Sequence, residues 1–166
     1  ILEMRNKHNL KPEEVESIDC EVAKFCLDAA GQSEPKTGLA GKFSTCYVAA
    51  LALAEGAAGE DMFNDKKVVE PRLVALQKKV RARVVSGYSE TEAKVTITTN
   101  AGKKFSAFVN TPKGDPRNPP TDGELEDKFR TLAAFVLPKA KIDRLAKAVW
   151  GLDKMANIRQ LVRMCY

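Results

Sequence analysis

Lys42, Ser44, Thr45 and Tyr47 stand close together at the entrance to a long apolar run. Serine is a good helix N-cap, and the first turn of a helix leaves backbone N–H groups unpaired at the positive end of the dipole. An ammonium just before that turn, with hydroxyls around it, makes a receptor for a carboxylate. Ser44 and Tyr47 are three apart, so they share neighbouring parts of one helical face. A second reading stays open on spacing alone. Ser44 is then only a cap, and Tyr47 only a large core residue with its hydroxyl at the surface.

Other chemistry is sparse. His8 is the one histidine and sits among Asn6, Lys7 and Asn9, which marks an exposed helix end. A hydrolytic triad or a metal-bound water would want more than this. Asp115, Asp122 and Glu124 have ordinary roles as turn and cap residues. Lys113 and Arg117 lie on a loop rich in glycine and proline and are candidate anion contacts, or else solvated charges on a shaped turn. Cys20, Cys26, Cys46 and Cys165 contain no CxxC pair, so buried free thiols are expected rather than a zinc or iron–sulfur site. No metal is expected.

These residues need elements to hold them. Ser44 and Gly56 bracket a helix that is apolar at almost every position and is therefore expected to be buried all round. Ile18, Cys20 and Val22 alternate with acidic residues, predicting a half-buried strand over residues 16–24. Residues 31–41 read as a loop. Glu70-Pro71 opens a helix with Leu73, Leu76 and Val80 as its core stripe. Strands are expected at 80–85, 93–99 and 103–110, forming a meander whose last hairpin turns at Asn100-Ala101-Gly102. Thr121 and Glu124 make a capping box for a helix with Leu125, Phe129, Leu132 and Val136 on its apolar face. Pro138 separates it from a second helix that ends at Gly151, and a short one follows near Ile158.

The fold class is α+β: a small antiparallel or mixed four-stranded sheet covered by helices, in one domain over residues 1–166. The net charge of +5 comes from scattered basic residues without interleaved aromatics, which argues against nucleic acid as a partner. No apolar stretch approaches the ~20 residues a membrane span needs, and no leader is visible. A cytoplasmic protein with no membrane partner is expected. Ile1-Leu2-Glu3-Met4 reads as helix interior without an initiator, as in a piece of a longer protein or in a chain from which processing has removed a segment.

The string KFSTCYVAALALAEG, followed by GDPRNPPTDGELEDKF, resembles the paired signature of the second domain of the MmgE/PrpD family, which contains 2-methylcitrate dehydratase and cis-aconitate decarboxylase. The early segment LKPEEVESI and the layout between the strings fit too, although Pro120 stands where the family often has leucine. The resemblance implies a lid-like C-terminal domain and a large helical N-terminal domain, absent here, that carries the catalytic histidines. It further implies a metal-independent lyase or isomerase of small polycarboxylates, with no cofactor, whose parent enzyme is a homodimer. The resemblance also implies that Tyr47, similar in position to a site tyrosine, has a catalytic role with Lys42 and Ser44 flanking it. Lys42, Ser44 and Thr45 are expected to bind substrate. Removing the Tyr47 hydroxyl is expected to spare stability. The chain alone is expected to be inactive. The alternative is a stand-alone interaction module of the same fold.

Overall fold

The computed structural model describes residues 1–166 as two compact units, Ile1–Asp115 and Pro116–Tyr166. The first unit is built on a mixed four-stranded sheet of β1 (Val15–Val22), β2 (Val80–Val84), β3 (Ala93–Thr99) and β4 (Lys104–Val109). Its order is β2-β1-β3-β4, with β1 parallel to β2 and antiparallel to β3. The three later strands therefore do not make the expected meander, because β1 is inserted between β2 and β3. Burial explains this: Val15, Ile18, Cys20 and Val22 are all buried, and a strand so apolar on one face belongs in the middle of a sheet.

Register puts the apolar side chains on one face. Ile18 stands opposite both Val80 and Ile97, and Cys20 opposite both Ala82 and Val95. Ile97 in turn pairs with Phe105, and Val95 with Ala107. The other face is polar, with Glu21 paired to Arg83 and Lys94 and Thr96 hydrogen-bonded to Ser106 at 2.9 Å. Asn100, in the β3–β4 turn, donates from its backbone and its side chain to the carbonyls of Glu14 and Glu13, both at 2.8 Å. The hairpin is thereby tied to the chain just before β1.

Helices pack on the apolar face and on one another. They are α1 (Leu2–His8), α2 (Lys24–Ala30), α3 (Gly38–Gly41), α4 (Thr45–Glu55), α5 (Asp65–Val68) and α6 (Pro71–Gln77). α4 is buried on nearly all sides, as its composition requires. Ala49, Ala50 and Leu53 pack on the sheet, while Tyr47 and Leu51 meet Val68 and Leu73 of α5 and α6. Its C-terminus needs Gly56, whose φ is +71° and whose missing Cβ would meet the Arg5 guanidinium at 2.6 Å. α6 stops at Gln77, so Val80 already belongs to β2 rather than to the helical stripe, and α3 lies inside the segment expected to be loop.

The second unit is a helical hairpin, α7 (Asp122–Ala133) and α8 (Lys139–Trp150), followed by α9 (Arg159–Met164). The Thr121–Glu124 capping box is present. Glu126 takes hydrogen bonds from Arg130 at 3.0 Å and from the Trp150 indole at 2.7 Å, and Arg130 also pairs with Asp143. Ile142, Leu145 and Ala146 are buried, whereas Val136 falls beyond the end of α7 and is exposed. All four cysteines are free, with Cys20 buried and Cys165 exposed, against the expectation of burial for the latter. No helix is long and apolar enough to cross a membrane.

One charge cluster in the first unit gives a stability prediction. Lys67 contacts Glu55 at 2.8 Å and Glu70 at 3.3 Å, and Arg72 contacts the same two carboxylates at 2.5 and 3.2 Å. The hydrogen bond from Lys67 holds the Glu55 carboxyl below its ordinary value of 4.5, with Arg72 adding to the effect. A lowered folded value stabilises the protein above the ordinary range, and that stabilisation disappears as pH falls through the folded value. Below pH 4.5, wild type should therefore lose stability more steeply than Glu55→Gln. The difference should stay within about 1 kcal/mol, because the partners are partly solvated. Parallel acid melts of the two proteins check it.

Candidate functional site

The site region begins in α3. Thr37 caps that short helix, its Oγ accepting from the Ala40 N–H at 3.2 Å. The Gly38 N–H donates to the Asp65 carboxylate at 2.8 Å, and Gly38 itself lies against the backbone of Phe63 and Asn64. The chain then turns through Lys42 and Phe43, where the Phe43 carbonyl accepts from the Gln32 N–H at 3.0 Å, and enters α4 at Ser44.

Each hydroxyl proposed from sequence has an internal partner. Ser44 is fully buried and its Oγ accepts from the Tyr47 N–H at 3.1 Å. Thr45 donates to the Ala30 carbonyl at 2.9 Å, with the Cys26 thiol 3.7 Å away. Tyr47 has no exposed surface, and its hydroxyl donates to the Met62 carbonyl at 2.9 Å. Its ring stands edge-on to Phe63, with centroids 5.9 Å apart. Burial pushes the phenol's pKa up, against the nearby positive charge of Lys67. Because the hydroxyl has a buried partner, deleting it is expected to cost stability, unlike the sequence-based expectation. The Lys42 ammonium is partly exposed and pairs with Glu60.

Lys42, Ser44 and Thr45 nevertheless share one feature. They line an open trough of about 550 Å³ between α4 and the sheet. Val22, Val95 and Val109 contribute to it from the strands, and Val48 and Ala52 continue it along α4. The volume lies in the range of small-molecule pockets, which are mostly apolar with a few placed polar groups. The polar groups gather where α4 begins, at the positive end of its dipole. Glu3, at the start of α1, is an acidic member of the lining. Tyr47 does not line the trough: it points into the second core cluster, with Leu51, Val68 and Leu73.

The remaining sequence candidates lie elsewhere. Lys113 falls in the first unit and Arg117 in the second, both on exposed positions. His8 ends α1 and stacks on Phe105 at 4.2 Å, outside the trough lining. No three His, Cys, Asp or Glu side chains are grouped so as to hold a metal ion. Sequence reasoning missed Glu60, Met62 and Phe63, which meet Lys42 and Tyr47. The signal available was weak: two large apolar residues in an otherwise polar stretch, followed by Asn64, whose side chain caps α5 by accepting from the Lys67 N–H at 2.9 Å.

As it stands, the arrangement places Lys42, whose ammonium is held by Glu60, and the first turn of α4 at the border of an apolar trough. It contains no histidine that could act as a base. Such a surface can hold a carboxylate, while proton transfer needs other groups.

Comparison with known proteins places the chain among relatives. The chain is 26% identical over 140 residues to the cis-aconitate decarboxylase-like protein oryM of Aspergillus oryzae, covering 81% of this chain and 29% of that protein. It is 24% identical over 140 residues to the cis-aconitate decarboxylase of Aspergillus terreus, covering 80% and 28% respectively. The chain thus spans less than a third of the length of these relatives. Residues 1–153 match the model of the MmgE/PrpD C-terminal domain, and the chain belongs to the MmgE/PrpD family.

Proposed function

We propose that this chain is the substrate-covering domain of a lyase acting on small polycarboxylates of the cis-aconitate or 2-methylcitrate kind. The observation that carries the reading is the trough that brings Lys42, Ser44 and Thr45 together at the start of α4, in a chain of this family. Loss of water from a hydroxy acid and loss of carbon dioxide from an unsaturated one both build negative charge on a substrate already rich in carboxylates. An ammonium and a helix N-terminus beside the trough would hold one of those carboxylates, in ground and transition state alike. The acid and base would come from a helical N-terminal domain of the same polypeptide, which this chain would cover.

Kinetics of the full-length protein test the reading. Lys42→Met keeps the aliphatic stem and removes the charge. It should raise KM about ten-fold or more with little change in kcat, as expected for a charged hydrogen bond worth about 1.5–3 kcal/mol in ground and transition state alike. An unchanged KM would make Lys42 merely the surface partner of Glu60.

A further inference from the structure

The short turn that follows α4 holds two of the proposed site residues at once. Its single 3₁₀ turn, Glu60–Met62, places the Glu60 carboxylate on the Lys42 ammonium. Two residues on, the Met62 carbonyl takes the Tyr47 hydroxyl at 2.9 Å. Phe63 then packs edge-on against the Tyr47 ring, and its backbone presses on Gly38. The segment is anchored on its C-terminal side, where Asn64 donates to the Asp61 carbonyl at 3.0 Å and Asp65 accepts from Gly38. On its N-terminal side it hangs from Gly56-Ala57-Ala58-Gly59, which carries nothing larger than a methyl group. It is therefore firmly tied at one end and free of side-chain ties at the other.

What Glu60 offers to Lys42 is a carboxylate, the same group a polycarboxylate substrate would bring. We propose that residues 59–63 form an internal strap in which Glu60 occupies Lys42 until a substrate carboxylate displaces it, and that its release uncovers the Tyr47 hydroxyl. This rests on the reading of Lys42 as a carboxylate-binding group. The energetics suit exchange. Both members of the Lys42–Glu60 pair are partly solvated, so the pair is weak. Tyr47 cannot meet a ligand while Met62 and Phe63 cover it. One displacement would therefore couple two events, occupation of Lys42 and exposure of Tyr47, without any movement of α4.

The test uses citrate as the probe and the full-length protein, comparing wild type with Glu60→Gln and Lys42→Met by calorimetric titration. Removing the competitor should tighten citrate binding about two- to five-fold, the range set by a weak exposed ion pair. Lys42→Met should weaken binding. In wild type, saturation with citrate should speed amide hydrogen exchange in residues 59–63. Unchanged affinity in Glu60→Gln, with weakened binding in Lys42→Met, would overturn the strap and leave the Lys42 reading standing. Unchanged exchange in residues 59–63 at citrate saturation would overturn the strap as well. Unaltered binding in Lys42→Met would sink both.

Discussion

Gly38→Ala is expected to lower the melting temperature of the first unit by several degrees, although the added group is a single methyl. The ideal Cβ would lie 2.2 Å from the Phe63 carbonyl oxygen and 2.6 Å from the Asn64 Cα. Both obstacles are backbone, so no side-chain rotation relieves the clash, and either α3 or residues 63–64 must shift. Overpacking of this kind costs about 1–3 kcal/mol, and for a unit of this size each kcal/mol lowers the melting temperature by roughly 2–8 °C. Gly102→Ala is the control. Its Cβ would enter open space, and only its φ of +76° opposes the change. The expected loss there is about 1 kcal/mol. Thermal melts followed by circular dichroism decide the matter, and equal losses in the two variants would show that residues 63–64 yield easily. The same variant bears on the strap, because pushing Phe63 away from Gly38 also loosens Met62 from Tyr47. Amide exchange in residues 59–63 should rise in Gly38→Ala without any ligand.

The parts of this fold that were legible in the sequence are those specified by neighbouring residues. Ser44 and Gly56 mark the ends of α4 because capping is local chemistry, and both caps occur as expected. The β3 boundaries and the Thr121–Glu124 box follow for the same reason. Pairing order is another kind of fact. That β1 should lie parallel to β2, across more than fifty intervening residues, depends on which strand buries its face most completely, and alternation says only that one face is buried.

The candidate site divides along the same line. Three-residue spacing put Ser44 and Tyr47 on neighbouring parts of one helical face, yet Ser44 is the N-cap beside the trough and Tyr47 turns into the second core cluster. A helix with a polar stripe reveals its orientation. α4 has none, since it is packed between the sheet on one side and α5 and α6 on the other, so its period carries no sign. Lys42, Ser44 and Thr45 reach the trough because they precede α4 or occupy its first position. Tyr47, one turn further on, rotates into the second core. Glu60 lay outside any periodic segment and had no local signature at all.

Tyr47→Phe is the variant with the most to reveal, because its two consequences separate. The hydroxyl is buried and donates to the Met62 carbonyl, so its removal leaves a buried acceptor without its partner. The cost should be about 1–3 kcal/mol, seen as a lower melting temperature with the ring packing against Phe63 retained. In the full-length protein, a phenol uncovered on substrate binding would then make its hydrogen bond to a charged group in the transition state. Losing that bond should reduce kcat/KM about ten- to hundred-fold. Kinetics must be recorded well below both melting temperatures, so that unfolding contributes nothing to the rate. Lower stability with wild-type kinetics would make Tyr47 a core residue whose hydroxyl serves only to fasten residues 59–63. Lower stability together with a fallen kcat/KM would require the Met62 bond to be exchanged during turnover. In that case Glu60→Gln, which loosens the same segment while leaving the phenol in place, should retain the catalytic efficiency that Tyr47→Phe loses.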